Sequence, residues 1–322
     1  MKNFTHIDAQ SIEHTIPLLD YYARPLAGGT DLIPLMREGV WQPDRLVNLK
    51  PLADLHFLRE AGDGLHIGAL TTLDELDRSP LVRERYQALA EAAHSAASPQ
   101  LRNMATLGGN LLQQVRCWYY RGPFNCWMKG GDHCPARSGE NEHHAVFDQS
   151  PCVAVYPSDP PAALITLDAS IRIVGPDGAR SVKVADFLAP PDELHRVMHG
   201  LGLNELITEI VVPHTTARSL YLKAMDRAVW AYALVSVAVA GEVANGTITN
   251  PRIVLGAVAN VPVRLGAVEA LIDGQLLTDE LIKEAGTMAT HGMEPLAHNH
   301  YKLPLARNLV RQALRDLTGQ RM

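Results

Sequence analysis

The sequence lacks the long apolar runs that would place it in a membrane. No stretch approaches the roughly 18 uninterrupted apolar residues that a transmembrane helix needs. The first ten residues, MKNFTHIDAQ, run into polar residues instead of the apolar core of a signal peptide. We therefore expect no membrane span and a cytoplasmic location, unless a partner with an export signal carries the chain with it.

Positive charge is also in short supply. The chain has 29 Lys and Arg against 35 Asp and Glu, a formal net charge of −6. Proteins that bind nucleic acid need an excess of basic residues to neutralise phosphates, so nucleic acid is not an expected partner. With 322 residues and 47% hydrophobic content, the chain can bury a large core, and its length favours two or three structural units.

Two common nucleotide-binding motifs are missing: the P-loop pattern G-x-x-x-x-G-K-[ST] and the Rossmann pattern G-x-G-x-x-G after a strand. The chain has instead two turns with paired glycines beside a hydroxyl residue, AGGTD at 27–31 and ATLGGN at 105–110. Such turns allow the backbone to approach a ligand and to point N–H groups at an anion. A single paired glycine more often marks an ordinary turn, so neither motif alone identifies a site.

Cysteine is absent except in one short window of the chain. The four cysteines are Cys117, Cys126, Cys134 and Cys152, spaced C-x8-C-x7-C-x17-C. The surrounding residues 115–157 are rich in Gly, Pro, His, aromatics and charge and show little apolar periodicity. This cysteine loop resembles an insertion that is ordered by something other than a hydrophobic core, and clustered thiols indicate a metal centre.

The spacing of the cysteines does not by itself select a metal. The loop lacks the C-x2-C pairs of structural zinc sites and the compact cysteine run of bacterial ferredoxins. Disulfides are disfavoured because the cytoplasm is reducing and the chain is large enough not to need them. Two interpretations stay open on the residues alone: an iron–sulfur cluster, or a zinc site in which His133, His143 or His144 replaces one cysteine.

The apolar pattern predicts a mixture of helices and strands, and hence an α+β fold. Predicted strands cover residues 24–27, 45–49, 64–69, 163–167, 170–174, 233–243 and 253–258. Predicted helices cover residues 11–22, 32–38, 82–97, 278–289 and 303–317, and a further helix begins at Thr72, whose hydroxyl and Glu75 form a capping-box pattern. We expect three units with bounds 1–54, 55–214 and 215–322, the second including the cysteine loop.

Three strings of the sequence, taken together, resemble the FAD-binding subunits of the xanthine dehydrogenase family of molybdenum hydroxylases. These strings are LAGGTDL at 26–32, QLRNMATLGGN at 100–110 and PSD at 157–159. The similarity continues through residues 223–238 and 255–264 and so spans essentially the whole chain. It implies a two-part FAD-binding domain of the PCMH/VAO type, followed by a small α+β C-terminal domain.

The resemblance also implies which residues bind FAD. Backbone N–H groups of both glycine turns, with the Thr and Asn side chains, would hold the pyrophosphate. Ala97 matches a position beside the flavin or adenine ring, Asp159 a position in contact with the cofactor, and Lys223 a basic residue near it. The implied set is Ala27, Gly28, Gly29, Thr30, Asp31, Leu32, Ala97, Thr106, Gly108, Gly109, Asn110, Asp159 and Lys223.

The cysteine loop resembles an insertion found in one subgroup of the family, which includes 4-hydroxybenzoyl-CoA reductase and a bacterial aldehyde oxidoreductase. In that subgroup the insertion follows the second glycine motif and binds a [4Fe–4S] cluster. The resemblance therefore implies that Cys117, Cys126, Cys134 and Cys152 are cluster ligands. With four thiolates completing a cubane, the loop histidines are expected to lie outside the ligand set.

The family further implies an oxidoreductase subunit without catalytic acids or bases of its own. A large molybdopterin subunit would bind the substrate, a small subunit would hold two [2Fe–2S] clusters, and the flavin would exchange electrons with a soluble carrier. Two rival functions stay open: a stand-alone flavin oxidase of the same fold, and a zinc-stabilised binding protein whose glycine turns hold nothing.

Overall fold

The computed structural model describes residues 1–319, beginning with a small parallel sheet. Its strands are β1 (Thr5–Asp8), β2 (Ala23–Leu26) and β3 (Arg45–Asn48), in the order β1-β3-β2, with helices α1 (Ile12–Thr15) and α2 (Leu32–Arg37). The predicted βαβ unit is therefore confirmed, and the first glycine turn lies between β2 and α2. The helix expected over 11–22 is shorter, because a 3-10 turn at Ile16–Leu18 ends it.

The second sheet is antiparallel and draws its strands from two distant parts of the chain. It contains β4 (Leu58–Ala61), β5 (Gly64–Gly68), β6 (Ser170–Gly175), β7 (Gly178–Lys183) and β8 (Leu206–Pro213), in the order β4-β5-β8-β6-β7. The helices and the cysteine loop are inserted between β5 and β6. As a result, the second glycine turn and the cysteines lie on a connection that both begins and ends at this sheet.

Short helices fill the connections of this second unit. They are α3 (Leu73–Arg78), α4 (Pro80–Arg85), α5 (Gln87–Ser95), α6 (Pro99–Arg102), α7 (Leu107–Asn110), α8 (Trp118–Arg121), α9 (Pro160–Thr166) and α10 (Val184–Phe187), with 3-10 turns at Ala53–Leu55, Trp127–Lys129 and Pro135–Arg137. The predicted capping box of Thr72 and Glu75 is confirmed at the start of α3. The helix expected over 82–97 is two helices, because Tyr86 has a non-helical backbone.

The strand expected over 163–167 is wrong. These residues belong largely to helix α9, whose seven residues are all buried. A helix that is buried on every side is apolar on every side, so its sequence has the continuous apolar run of a buried strand. The residues 170–174 do form a strand, β6, but its partners are β7 and β8.

The third sheet belongs to the last hundred residues. Its strands are β9 (Arg218–Ala224), β10 (Val235–Ala244), β11 (Thr247–Gly256), β12 (Val263–Arg264) and β13 (Gln275–Leu276), in the order β12-β11-β10-β9 with β13 beside β11. Helices α11 (Gly266–Ile272), α12 (Asp279–Met288) and α13 (Lys302–Thr318) pack with it around an aliphatic core. The α+β fold is confirmed.

Candidate functional site

The two glycine turns touch each other in the folded chain. A Cβ atom added to Gly28 would lie 1.7 Å from the carbonyl oxygen of Met104, immediately before the second turn. Gly29 has a φ of +72°, a left-handed conformation that side-chain-bearing residues rarely adopt. The first turn therefore requires glycine at both positions, one for contact with the second turn and one for the backbone itself.

The first turn presents unpaired backbone donors. Among residues 1–319, the N–H groups of residues 28–32 donate to no protein acceptor, whereas Ile33 N–H already bonds to the carbonyl oxygen of Gly29 at 3.0 Å. Successive N–H groups at the start of a helix form an anion-binding arrangement. This turn therefore has the donors that a diphosphate would need.

The second turn behaves differently from the expectation. Gly108 N–H donates to the Ala69 carbonyl at 3.0 Å, and Gly109 N–H donates to the hydroxyl of Thr106 at 3.2 Å. The N–H of Asn110 donates to the Thr106 carbonyl at 2.9 Å. These three N–H groups already have acceptors within the protein, so they do not form the predicted binding site for the pyrophosphate. The second turn provides instead close backbone packing and the Asn110 side chain.

A single groove of about 570 Å³ collects every residue predicted to contact FAD. Its lining includes Ala27, Gly28, Gly29, Thr30, Asp31, Leu32, Ala97, Thr106, Gly108, Gly109, Asn110, Asp159 and Lys223. Apolar side chains such as Leu101, Leu203 and Tyr232 complete the walls. A groove with anion donors at one place and apolar walls elsewhere matches the needs of a dinucleotide with aromatic rings.

Asp159 and Lys223 form a buried ion pair that lines the groove. Lys223 Nζ donates to Asp159 Oδ2 at 2.8 Å and to the Ser95 carbonyl at 2.9 Å. Tyr221, which the sequence reading missed, donates its hydroxyl to Asp159 Oδ1 at 2.6 Å. Burial raises the pKa of Asp159 against the opposing effect of the Lys223 charge, and burial beside this carboxylate raises the pKa of Tyr221.

The sequence did contain a signal for Tyr221. It precedes Lys223 by two positions on strand β9, and alternate residues of a strand point to the same face. If Lys223 lines the site, Tyr221 is therefore a candidate site residue as well. Asp159 itself starts helix α9 without a side-chain capping bond, because both its oxygens bind Tyr221 and Lys223.

Asp31 connects the first glycine turn to the start of the cysteine loop. Its Oδ1 accepts from the guanidinium group of Arg121 at 2.8 Å and forms an ion pair with that of Arg116 at 2.9 Å. Its Oδ2 accepts from the Gln114 N–H at 2.8 Å. These partners neutralise a carboxylate that would otherwise repel an anion in the turn. The sequence reading missed both arginines, since nothing in their local pattern indicates a partner more than eighty residues earlier.

Ala97 lies in the groove wall with an unusual backbone. Its φ of +51° is in the left-handed region, which is rare for a residue with a Cβ atom. The preceding segment also provides Ser95, whose carbonyl accepts from Lys223. The small side chain leaves room in the groove beside the buried ion pair.

The four cysteines come close enough to influence one another. All four are free thiols, with Cys117 partly exposed and the other three buried. Burial raises the pKa of Cys117 to about 11, and the neighbouring Cys126 and Cys134 add to the effect. A hydrogen bond between Cys134 and Cys152 lowers the pKa of Cys134 to about 6 and raises that of Cys152 well above its usual value.

The four thiols match an iron–sulfur cluster in the kind and number of donors, because a cubane takes one thiolate at each of its four irons. Within residues 1–319, no three His, Cys, Asp or Glu side chains form a group that could hold a metal ion. The cluster on this loop therefore stays a prediction.

Polar side chains of the C-terminal unit hold the cysteine loop in place. The fully buried Asn260 donates from Nδ2 to the carbonyls of Cys152 at 2.9 Å and Ala154 at 2.7 Å. Lys302, also fully buried, donates to the carbonyls of His143 at 3.2 Å and Ala257 at 2.8 Å. Burial lowers the pKa of Lys302 to about 7.

A second cavity of about 240 Å³ lies between the cysteine loop and the groove. Cys117 and His144 line it on the loop side. Arg116, Asp159 and Tyr232 line both this cavity and the groove. Cys117 therefore borders a cavity that shares part of its lining with the groove.

The fold and the groove together define a flavoprotein of the molybdenum hydroxylase type, and sequence families agree. Residues 2–215 match the family described as the FAD binding domain in molybdopterin dehydrogenase, and residues 220–317 match the CO dehydrogenase flavoprotein C-terminal domain. The chain belongs to the family of FAD-binding subunits of molybdenum hydroxylases and is an oxidoreductase subunit. This confirms the resemblance to the family, while the resemblance of the cysteine loop to the insertion of one subgroup stays a prediction.

Individual relatives cover nearly the full length of the chain. The Escherichia coli K12 aldehyde oxidoreductase FAD-binding subunit PaoB is 36% identical over 311 residues, 92% of each chain. The glyceraldehyde dehydrogenase medium chain of Sulfolobus acidocaldarius is 25% identical and covers 98% of each chain. A solved carbon monoxide dehydrogenase from Hydrogenophaga pseudoflava superposes with a TM-score of 0.79 at 28% identity, covering 99% of each chain.

Within residues 1–319, no helix combines the length and the apolar character needed to cross a bilayer.

Proposed function

We propose that this chain is the FAD- and [4Fe–4S]-containing electron-transfer subunit of a heterotrimeric molybdenum hydroxylase or dehydrogenase complex. One observation carries the proposal: the groove that collects all the predicted FAD contacts shares Arg116, Asp159 and Tyr232 with the cavity bordered by Cys117. A redox cofactor in the groove and a cluster on the loop would be near neighbours. The subunit would pass electrons between the iron–sulfur clusters of a partner and an external acceptor or donor.

Different residues of the groove would contact different parts of FAD. The free N–H groups of residues 28–32 would bind the pyrophosphate, while Asn110 and Thr106 shape the opposite side. The buried pair of Asp159 and Lys223 would orient the polar part of the cofactor, beside the space left by Ala97. Bound FAD exchanges electrons singly with iron–sulfur centres and in pairs with soluble carriers, which suits a subunit between the two.

The cysteine loop would hold the cluster through Cys117, Cys126, Cys134 and Cys152. The influence of the thiols on one another's pKa values supports this assignment over scattered structural cysteines. Asn260, by binding the carbonyls of Cys152 and Ala154, would keep the last of the four ligands in position. The loop would then be ordered jointly by the cluster and by the C-terminal unit.

Partners follow from the family and from the relatives whose names call them medium chains. We infer a large molybdopterin subunit with the substrate site, a small subunit with two [2Fe–2S] clusters, and a soluble carrier. The three sheets support the unit bounds 1–54, 55–214 and 215–322, with the insertion at about 115–157. A cytoplasmic location is proposed because thiols remain reduced there.

Anaerobic electron transfer from the partner tests this function. The small [2Fe–2S] subunit is reduced with dithionite, desalted and mixed with the purified chain while the flavin absorption bands are followed. We expect the flavin bands to bleach together with the broad iron–sulfur absorption of the chain. Flavin bands that bleach only with small organic substrates and never with the partner would indicate a stand-alone oxidase, and a colourless zinc-containing protein would indicate a binding protein.

A further inference from the structure

One histidine of the cysteine loop contacts a cysteine sulfur directly. His144 Nε2 lies 3.2 Å from Cys117 Sγ, within the range of a hydrogen bond to sulfur. The His144 side chain is almost completely enclosed, since only 3% of the residue is exposed to solvent. A buried imidazole at this distance is placed to interact with the sulfur.

The chemistry of the sulfur decides which nitrogen carries the proton. Within residues 1–319, Nδ1 of His144 is buried without a hydrogen-bond partner, so Nε2 is the ring nitrogen that has a neighbour. A thiolate that binds a metal has no proton to donate and can only accept. With Cys117 as a cluster ligand, the proton of the neutral ring would therefore lie on Nε2, and the ring would donate an N–H to the sulfur.

The chain fixes this ring from several directions. The rings of Trp118 and Tyr119 approach it with centroid separations of 5.6 and 6.3 Å. Its backbone N–H donates to the Asn141 carbonyl at 3.0 Å, and its carbonyl accepts from Asn299 Nδ2 at 3.1 Å. Asn299 belongs to the C-terminal unit, so the position of the ring depends on how that unit packs against the loop.

We propose that His144 is a positioning residue that sets the reduction potential of the cluster by donating an N–H···S hydrogen bond to Cys117. This inference rests on the proposed [4Fe–4S] cluster. Hydrogen bonds to ligand sulfurs are among the factors that determine cluster potentials, because they stabilise the more negatively charged, reduced state. Among the three loop histidines, the geometry thus separates His144 from His143, whose side chain is about half exposed.

The first test measures the cluster potential in three variants of the full chain, by EPR-monitored redox titration. His144→Leu removes the donor, His144→Gln keeps an amide N–H, and His143→Leu is the matched control on the neighbouring residue. At a fixed solution potential we expect the reduced-to-oxidised ratio to fall about tenfold in His144→Leu, which corresponds to 59 mV for a one-electron couple. His144→Gln should recover part of the loss, and His143→Leu should match the unmodified chain.

A second test is made on the unmodified chain and so still gives a result if a mutant fails to fold. The unmodified chain is prepared with ¹⁵N-histidine, and pulsed EPR of the reduced cluster detects the coupling to nearby nitrogen. A weak coupling that disappears in His144→Leu, or a weak coupling alone if that variant fails to load iron, supports the hydrogen bond. A strong coupling typical of a direct iron–nitrogen bond, or no coupling at all, overturns it.

Different results would show that His144 does not set the cluster potential and that the cluster itself is absent. If the His144→Leu variant retains iron, sulfide and FAD and titrates at the potential of the unmodified chain, His144 does not set the potential although the cluster is real. If the unmodified chain contains no iron after anaerobic preparation, the cluster itself is absent and the inference falls with it.

Discussion

Lys223 and Asp159 form an ion pair of 2.8 Å whose side chains are only 2% and 6% exposed. The pair joins strand β9 of the third sheet to the start of helix α9 in the second unit. Two charges are seldom removed from water without additional hydrogen bonds, and here Tyr221 and the Ser95 carbonyl provide them. The groove is therefore lined by a buried hydrogen-bonded network in which the charges of Asp159 and Lys223 stabilise each other.

Removing one member of this pair should destabilise the chain strongly. Asp159→Asn leaves the Lys223 ammonium buried without a counter-charge, and breaking a buried pair typically lowers the unfolding free energy by about 3–5 kcal/mol. We expect a loss of that order in urea unfolding, together with a lower FAD content. Asp168→Asn, which breaks an exposed pair with Lys183, is the control and should change stability by about 1 kcal/mol or less. Equal effects of the two substitutions would contradict the role of the pair.

Gly28→Ala should abolish FAD retention. The added Cβ would lie 1.7 Å from the Met104 carbonyl oxygen, so the two turns would have to separate. We expect the FAD content per purified chain to fall at least about tenfold, since this separation displaces the N–H groups that face the groove. Gly62→Ala is the matched control, because a Cβ there meets nothing within 4 Å. A Gly28→Ala protein that still carries a full complement of FAD would disprove the contact between the turns.

Asn260→Leu tests whether the C-terminal unit orders the cysteine loop. The substitution keeps the side-chain size but removes the amide that donates hydrogen bonds to the carbonyls of Cys152 and Ala154. Each buried carbonyl left without a donor is unfavourable by about 1–3 kcal/mol. We expect lower stability and less iron per chain, whereas the exposed Asn308→Leu should stay within about 0.5 kcal/mol of the unmodified chain. Retention of iron and stability in Asn260→Leu would argue against this anchoring.

The lowered pKa of the buried Lys302 should make the chain more stable as the pH rises. Its pKa in the folded chain is about 7, lowered from 10.5 by burial, so between these values the unfolded chain binds a proton that the folded chain does not. The unfolding free energy should therefore rise with pH across this window and gain nothing from Lys302 below it. From pH 7 to 9, the unmodified chain should gain up to about 2 kcal/mol relative to Lys302→Met. The exposed Lys283→Met serves as control, and a pH profile unchanged by Lys302→Met would contradict the prediction.

Local signals in the sequence predicted local structure well. The strand, glycine turn and helix of residues 23–37 follow from an apolar run, two glycines and a helical pattern, and the cap at Thr72 follows from Glu75 three positions later. The helix α9 was mistaken for a strand because a fully buried helix has no polar face to reveal its period. The prolines at the first positions of the segment were a signal for a helix, because proline favours the first turn of a helix.

The groove could be assembled from family motifs, but its supporting contacts could not. The ion pairs of Asp31 with Arg116 and Arg121 connect residues that are distant in sequence and carry no common pattern. The same holds for Asn260, whose amide meets carbonyls more than a hundred residues earlier. The hydrogen bonding of the second glycine turn was misjudged for a related reason, since the Gly108 N–H finds its acceptor at Ala69, which only the fold brings near. The N–H groups of Gly109 and Asn110 donate to Thr106 within the turn itself.

The content of flavin, iron and acid-labile sulfide in anaerobically purified protein tests the central claim most directly. We expect one FAD and about four iron and four sulfide per chain. In the Cys134→Ala variant, the iron and sulfide should be lost while the FAD remains. A preparation that contains neither flavin nor iron, or one that holds zinc in place of iron, would contradict the account.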